Sequence, residues 1–320
     1  MLIHVAAAAI FDSSGRVLLS QRARNTHQGG LWEFPGGKLE TGETPRQALR
    51  RELSEELAIR VQDSHPLIRV RHDYGDREVL IDFFRVNDYR GEPRGVEGQP
   101  LRWVAPETLR PEEFPAADRP VITALRLPQT YAITGEDPTD REAFLHRFER
   151  LLEGGVRLIQ LRAHGLSDEV YAQLLITTHT LCRAQGASLI VNRPRDVTRW
   201  QGQGDGVHLG SAQLMALKQR PQSSGWVGAS CHTLAELQHA DALGLDYALL
   251  SPVLPTLTHP GVEALGWERF AEWVDQVNLP VFALGGVNGG NLSQACDVGG
   301  QGIAGIRAWW NPSVVLHTSH

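Results

Sequence analysis

The sequence predicts two domains of different class, an α+β unit over residues 1–128 and an α/β unit, a (β/α)8 barrel, over residues 129–320. Three observations predict this. At 320 residues the chain exceeds the ~250–300 residues at which single hydrophobic cores stop growing. Up to about Leu127, short β-rich segments surround one strongly patterned helical stretch. Beyond Leu127-Pro128-Gln129, short apolar segments alternate with helix-like ones, which is the rhythm of a parallel barrel.

In the first unit, residues 2–11 and 16–22 read as paired strands around the Ser13-Ser14-Gly15 turn. Leu67–His72, Val79–Asn87 and Leu101–Val104 read as further strands, bounded by Gly, Asp and Pro. Thr44–Leu57 reads as the long helix: Pro45 suits its first turn, and Ala48, Leu49 and Leu53 make an apolar stripe. A weaker helix spans Pro120–Leu127. In the second unit eight strands are expected, at Tyr131–Thr134, Leu158–Leu161, Ser188–Asn192, Gly206–Leu209, Trp226–Ser230, Tyr247–Ser251, Pro280–Leu284 and Gly302–Ile306. Helices are expected between them at Arg141–Glu153, Asp168–Gln185, Leu234–Leu243 and Trp267–Val277. Several strands end in Arg162, Asn192, Ser230 or Gly285-Gly286, and the C-terminal strand ends are where such barrels hold their sites.

Composition narrows the function. Hydrophobic residues make 42% and charged residues 21% of the chain, which excludes a disordered or collagen-like polymer. The net charge of −6 supplies no basic field, so no direct nucleic-acid binding is expected. Cys182, Cys231 and Cys296 lie far apart without metal-ligand spacing, as reduced thiols in a cytoplasmic protein would. The apolar N-terminus lacks a basic leader region and runs into a turn, so a buried strand rather than a signal peptide is expected. No apolar run reaches the ~18 residues of a membrane span. Only Lys38 and Lys218 are lysines.

Chemistry concentrates between Gly36 and Ile59. On a helix Glu52, Glu55 and Glu56 stand at i, i+3 and i+4, so their carboxylates crowd one face. Like charges at that spacing repel unless a cation sits among them, and hard oxygen ligands suit Mg2+ or Mn2+. Gly36-Gly37 before the helix would let backbone approach a metal or phosphate closely. A metal–phosphate site for substitution at phosphorus follows.

From Gly37 through Ile59 the segment resembles the Nudix box, Gly-x5-Glu-x7-Arg-Glu-U-x-Glu-Glu-x-Gly-U, with Ala58 in place of the last glycine. The resemblance extends over residues 1–127 to the MutT branch of Nudix α/β/α sandwich hydrolases, through Gln21-Arg22, Trp32–Gly37, Gly91-Glu92-Pro93, Glu97–Pro100 and Glu113–Pro120. It implies hydrolysis of 8-oxo-dGTP, a nucleoside triphosphate, to monophosphate and pyrophosphate, sanitising the nucleotide pool. It further implies Glu52 as metal ligand and base. Glu55, Glu56, Glu97 and the Gly36 and Gly37 backbone would complete the metal shell, and Lys38 would face phosphate. Arg51 would brace the loop against Glu43, while Arg22, Phe34, Arg77 and Asp118 would line the nucleoside pocket. Asp118 departs from the Asn usual there: ionised Asp only accepts hydrogen bonds, whereas Asn also donates.

The second unit resembles the thiamine-phosphate synthase/TenI superfamily over residues 130–310. The carrying stretches are Tyr131–Thr134, Gln160-Leu161-Arg162, Gly206–Gly210, Gly228–His232, Ser251–Thr258 and Leu284–Val287. It implies a phosphate cradle at Gly285-Gly286 and ligand contacts at Arg162, Asn192, Ser230 and Arg307. Synthase relatives carry two metal-binding Asp residues where this chain has Arg193 and Gln213, and lysines where it has His164 and His259. What remains, Ser230-Cys231-His232, fits a TenI-like thiazole tautomerase with His232 moving the proton, or a module that binds a thiazole or thiamine phosphate without turnover. Cys231 is expected to be a small buried residue. The fusion also admits an alternative Nudix substrate, a thiamine-type pyrophosphate.

Overall fold

The computed structural model describes residues 2–25, 27–135, 140–193, 197–200, 202–256 and 263–310. It divides into two compact units, Met1–Arg126 and Leu127–His320. The division falls two residues before the expected one because Leu127 packs with Tyr131, Ile133 and Leu158 inside the barrel. Its carbonyl also accepts from Gln301 Nε2 at 2.9 Å.

In the first unit β1 (Leu2–Ile10), β2 (Val17–Gln21), β3 (Trp32–Glu33) and β4 (Gly36–Lys38) precede α1 (Pro45–Leu57). Then come β5 (Arg60–Asp73), β6 (Glu78–Arg90), β7 (Leu101–Val104) and α2 (Arg119–Arg126). One sheet has the order β4-β1-β6-β5 and the other β3-β2-β7. From Ala6 to Ile10 strand β1 is buried on both faces, which explains its run of alanines. Ala6, Ala8 and Ile10 pack with Leu49, Leu53 and Leu57 of α1. The alternate residues Ala7 and Ala9 pack with Phe34, Phe83 and the α2 residues Val121 and Ile122. The two helices thus cover opposite faces, giving the α/β/α arrangement.

Two expectations are corrected. Strands β1 and β2 share a single bridge, Phe11 to Val17, and then diverge into separate sheets. Both edges of β1 are already taken, by β4 antiparallel and by β6 parallel. Strand β5 is also longer than the 67–72 predicted. Asp63-Ser64-His65-Pro66 resembles a break, but register shifts at Val61/Asp63, Asp63/His65 and Pro66/Ile68 carry the ladder through.

Helix α1 begins with a capping box between Thr44 and Gln47 and has Pro45 in its first turn. It ends at Ala58 in the left-handed region, φ 57° and ψ 30°. An alanine there bears the steric cost that glycine escapes. Ala58→Gly is therefore expected to stabilise the unit by about 1 kcal/mol. Its thermal midpoint should rise in calorimetry, and an unchanged or lower midpoint would refute the strain.

The second unit is a closed barrel of eight parallel strands. These are β8 (Thr130–Ile133), β9 (Leu158–Arg162), β10 (Ser188–Asn192), β11 (Gly206–Leu209), β12 (Trp226–Cys231), β13 (Tyr247–Leu250), β14 (Val281–Ala283) and β15 (Gly302–Gly305). The helices are α3 (Arg141–Glu153), α4 (Asp168–Ala184), α5 (Val197–Trp200), α6 (Ser211–Ala216), α7 (Leu234–Ala242), α8 (Gly266–Val274), α9 (Leu292–Asp297) and α10 (Arg307–Trp310). Tyr131, Tyr247, Phe282, Leu158, Ile190 and Leu249 fill the interior. Among the described residues no helix is long and apolar enough to cross a membrane.

Candidate functional site

The Nudix-like segment is organised around one arginine. Arg51 on α1 donates from Nε and Nη2 to the two oxygens of Glu43, both at 2.8 Å. Nη2 also reaches the Lys38 carbonyl at 3.0 Å, and Nη1 reaches Glu52 Oε1 at 2.8 Å. Hydrogen bonds from Arg51 and from the Glu40 amide pull the Glu43 carboxyl down to about 2. This bidentate pair ties the loop before α1 to the helix and sets one oxygen of Glu52. The Glu52 carboxylate lies directly over Gly37, where an added Cβ would come within 2.1 Å of its Cδ. Gly37 is thus required by the close approach of an acid to the strand.

Burial, then the charges of Glu52, Glu33 and Glu97, push the Glu56 carboxyl up to about 8, against a hydrogen bond from the Gly36 amide. Glu56, Glu97, Gly36, Gly37 and Lys38 line a cavity of about 720 Å³. Glu55 stays outside it, with its side chain 62% exposed and a 3.3 Å contact to Arg51. Among the described residues no three acidic or histidine side chains already stand as a metal cage. The donors are nonetheless all hard oxygens, and the repulsion that adds to burial in raising Glu56 is what a divalent cation relieves, so the set fits such an ion.

The same cavity is lined by Arg22, Phe34, Tyr74, Arg77 and Asp118. Phe34 is stacked on Phe114 with centroids 5.6 Å apart and meets the edge of Phe83 at 5.9 Å. Arg22 is paired with Glu33 and donates to the His27 carbonyl at 3.0 Å. Arg77 is held by its neighbour Asp76 at 2.6 Å. Asp118 is 7% exposed, and its carboxyl has no hydrogen-bond or ion-pair partner among the described residues. Burial, then the charge of Glu33, raise it well above the usual carboxylate range, opposed by Arg22. The cavity therefore brings together Arg22, Phe34, Gly36, Gly37, Lys38, Glu56, Arg77, Glu97 and Asp118, while Glu55 lies outside it and Glu52 stands beside it, against Gly37 and Arg51. Glu33 was missed: a glutamate in a two-residue strand carries no periodic signal.

In the barrel, Arg193 fills the corner where synthase relatives carry an Asp. It is 8% exposed and donates to the carbonyls of Ala163 at 2.8 Å and Leu166 at 2.6 Å. It also pairs with Asp168 at 2.8 Å and lies 4.6 Å from the Tyr171 ring centroid. Gln213 accepts the Gly210 amide at 2.9 Å, capping α6. Neither position offers a carboxylate. His164 reaches Asn192 Oδ1 at 3.2 Å, whereas His259 lies outside the described residues. The Arg162 guanidinium is free among the described residues, and Arg307 opens α10. Gly285 and Gly286 have φ of 88° and 71°, and a Cβ on them would strike Pro252 and Pro255 at 2.8 and 2.6 Å. The loop after β13 thus packs on them.

His232 places Nδ1 3.0 Å from the Ser251 carbonyl and 3.2 Å from the Ser251 hydroxyl oxygen. The carbonyl only accepts, so the tautomer that satisfies it has the proton on Nδ1 and leaves Nε2 a lone pair. Cys231 is fully buried and its thiol is pushed up to about 12 by burial, which makes it inert.

The NUDIX domain family model matches residues 6–124, and the thiamine monophosphate synthase model matches residues 130–309. The first unit is 37% identical over 124 residues to an 8-oxo-dGTP diphosphatase of Escherichia coli, covering 39% of this chain and 96% of that protein. It is 48% identical over 90 residues to the Proteus vulgaris enzyme of the same name, covering 28% of this chain and 80% of that one. The barrel is 33% identical over 183 residues to a putative thiamine-phosphate synthase of Aquifex aeolicus, covering 57% of this chain and 97% of that protein. The chain is a fusion that belongs to the Nudix hydrolases through its first unit and to the thiamine monophosphate synthase family through its barrel.

Proposed function

We propose that the first unit hydrolyses 8-oxo-dGTP to 8-oxo-dGMP and pyrophosphate with Mg2+, or Mn2+ in its place, so keeping the oxidised nucleotide from DNA synthesis. The carrying observation is that one cavity is lined both by Glu56, Glu97, Gly36 and Gly37 and by Phe34, Tyr74 and Asp118. Its volume, about 720 Å³, lies within the ~300–1,000 Å³ of small-molecule sites.

Glu52, Glu56, Glu97 and the Gly36 and Gly37 backbone would hold the cation. Bound there, a divalent ion neutralises phosphate charge and acidifies the attacking water. Glu52, oriented by Arg51, takes the proton as the water oxygen bonds to phosphorus and the phosphoanhydride oxygen leaves. Lys38, whose ammonium has no partner among the described residues, meets the phosphate chain. Phe34 and Asp118 hold the base.

The barrel reading rests on His232. With Nδ1 fixed on Ser251, its Nε2 is a base for moving a proton on a thiazole phosphate. Arg193 and Gln213 leave no acidic pair for synthase chemistry, so a thiazole or thiamine phosphate is bound without condensation.

A panel of 8-oxo-dGTP, dGTP and thiamine pyrophosphate on the full chain tests the first reading. Pyrophosphate released fastest from 8-oxo-dGTP is the expected result. Orthophosphate as first product, or faster turnover of the thiamine compound, would overturn it.

A further inference from the structure

A continuous run of hydrogen bonds crosses the barrel interior. Asn192 Nδ2 donates to Gln160 Oε1 at 2.7 Å, and Gln160 Nε2 donates to the Tyr131 hydroxyl at 3.0 Å. The Tyr131 and Tyr247 hydroxyls are 3.0 Å apart, and Tyr247 OH lies 3.4 Å from His208 Nδ1. His208 Nε2 lies 2.9 Å from Ser230 Oγ at the end of β12. Tyr131, Tyr247, Gln160 and His208 are each at most 1% exposed.

We propose that Tyr131 and Tyr247 are positioning residues that fix the direction of this chain, so that Ser230 presents its hydroxyl proton to an oxyanion at the barrel mouth. The direction follows from the amides. Tyr131 accepts from Gln160, so its own proton goes to the Tyr247 oxygen. Tyr247 then has one acceptor left, His208 Nδ1. A ring nitrogen that accepts carries no proton, and burial depresses His208 to about 3, so the ring is neutral. The proton is therefore on Nε2 and is donated to Ser230 Oγ. The Ser230 proton has no acceptor among the described residues and is available to a ligand. This polarity also bars His208 from acting as a base on Ser230, which is a donor and not a nucleophile. The ligand class is an oxyanion, a phosphate or a carboxylate. The proposal rests on reading the barrel as a ligand-binding unit.

The test uses the full chain labelled with 15N-histidine. Long-range proton–nitrogen NMR is expected to show His208 as the neutral Nε2–H form. Titrating inorganic phosphate, and acetate as the carboxylate arm, should shift the His208 signals, and the stronger arm names the group. Tyr247→Phe keeps the ring but removes the donor to Nδ1. It should move the proton to Nδ1, turn the Ser230 hydroxyl inward and weaken the anion roughly 10-fold. Ser230→Ala should weaken it equally, and the double variant should be no weaker than either. An Nδ1–H ring in the unaltered protein overturns the directed chain and leaves the barrel reading standing. Tyr247→Phe binding the anion as the unaltered protein does while Ser230→Ala loses it also overturns the chain. Failure of the unaltered protein to bind either anion overturns the anion site and the ligand-binding reading with it.

Discussion

Glu52→Gln is expected to lower kcat for pyrophosphate release by roughly 10²–10⁴-fold, the contribution of a positioned general base. The change is conservative in shape. Gln fills the same space over Gly37, and its carbonyl still accepts from Arg51 Nη1. The Arg51–Glu43 pair that anchors the loop is untouched, so the thermal midpoint should stay near that of the unaltered chain. What disappears is the charge and the proton acceptor. The same loss removes one of the charges that push Glu56 up, so Glu56 would lose its proton at lower pH. Glu55→Gln is the contrast. An exposed pair with Arg51 contributes about 0.2–1 kcal/mol, so kcat should fall only a few-fold. Single-turnover rates for the two variants decide the matter. Equal losses would assign Glu55 a place at the reacting phosphate that its exposed side chain does not indicate.

That contrast marks where the sequence is legible. Regular spacing was readable: the eight barrel strands, the helix that Thr44 and Pro45 open, and the crowded acids on one helical face. Spacing alone, however, does not separate Glu55 from Glu52 and Glu56. Their difference arises from what covers the helix, with Gly37 against Glu52 and the cavity against Glu56. The paths of β1 and β2 were hidden for a related reason. A turn sequence predicts a reversal, but not that β6 and β4 already occupy both edges of the first strand. Arg193 shows the same limit in the barrel. Its presence in place of an acid was visible in the sequence. Its conversion into an internal clamp on the carbonyls after β9 depends on a loop conformation that no local pattern encodes. The chain linking Asn192 to Ser230 joins residues from six strands, so its order exists only once the barrel closes.

Asp118→Asn is expected to leave 8-oxo-dGTP turnover near the rate of the unaltered protein with Asp118 protonated and to abolish the decline that follows as pH rises through the raised value of Asp118. The aspartate stands where the resemblance implies an amide, and an ionised carboxylate cannot replace one because it only accepts. Burial and the charge of Glu33 keep Asp118 protonated well above the usual carboxylate range. A neutral carboxylic acid has one O–H donor and one carbonyl acceptor, the pair an amide offers to a purine edge. The sign of the pH effect follows from the raised value. Below it the acid is neutral and reads both a donor and an acceptor on the base. As pH rises through it, the donor is lost, a charge appears in a buried site, and KM rises. Stability follows the same direction: the raised value favours the folded state at low pH, and that contribution is lost as pH rises through it. The Asn variant has nothing to titrate there, so its KM and its thermal midpoint should lack this component. Asp118→Ala removes both partners of the base and should cost roughly 10–100-fold in kcat/KM. KM–pH profiles of the three proteins separate the cases. An Asn variant that retains the rise in KM with pH would place the titrating group elsewhere, and one that loses turnover across the whole profile would mean that the carboxylate reads the base as an anion.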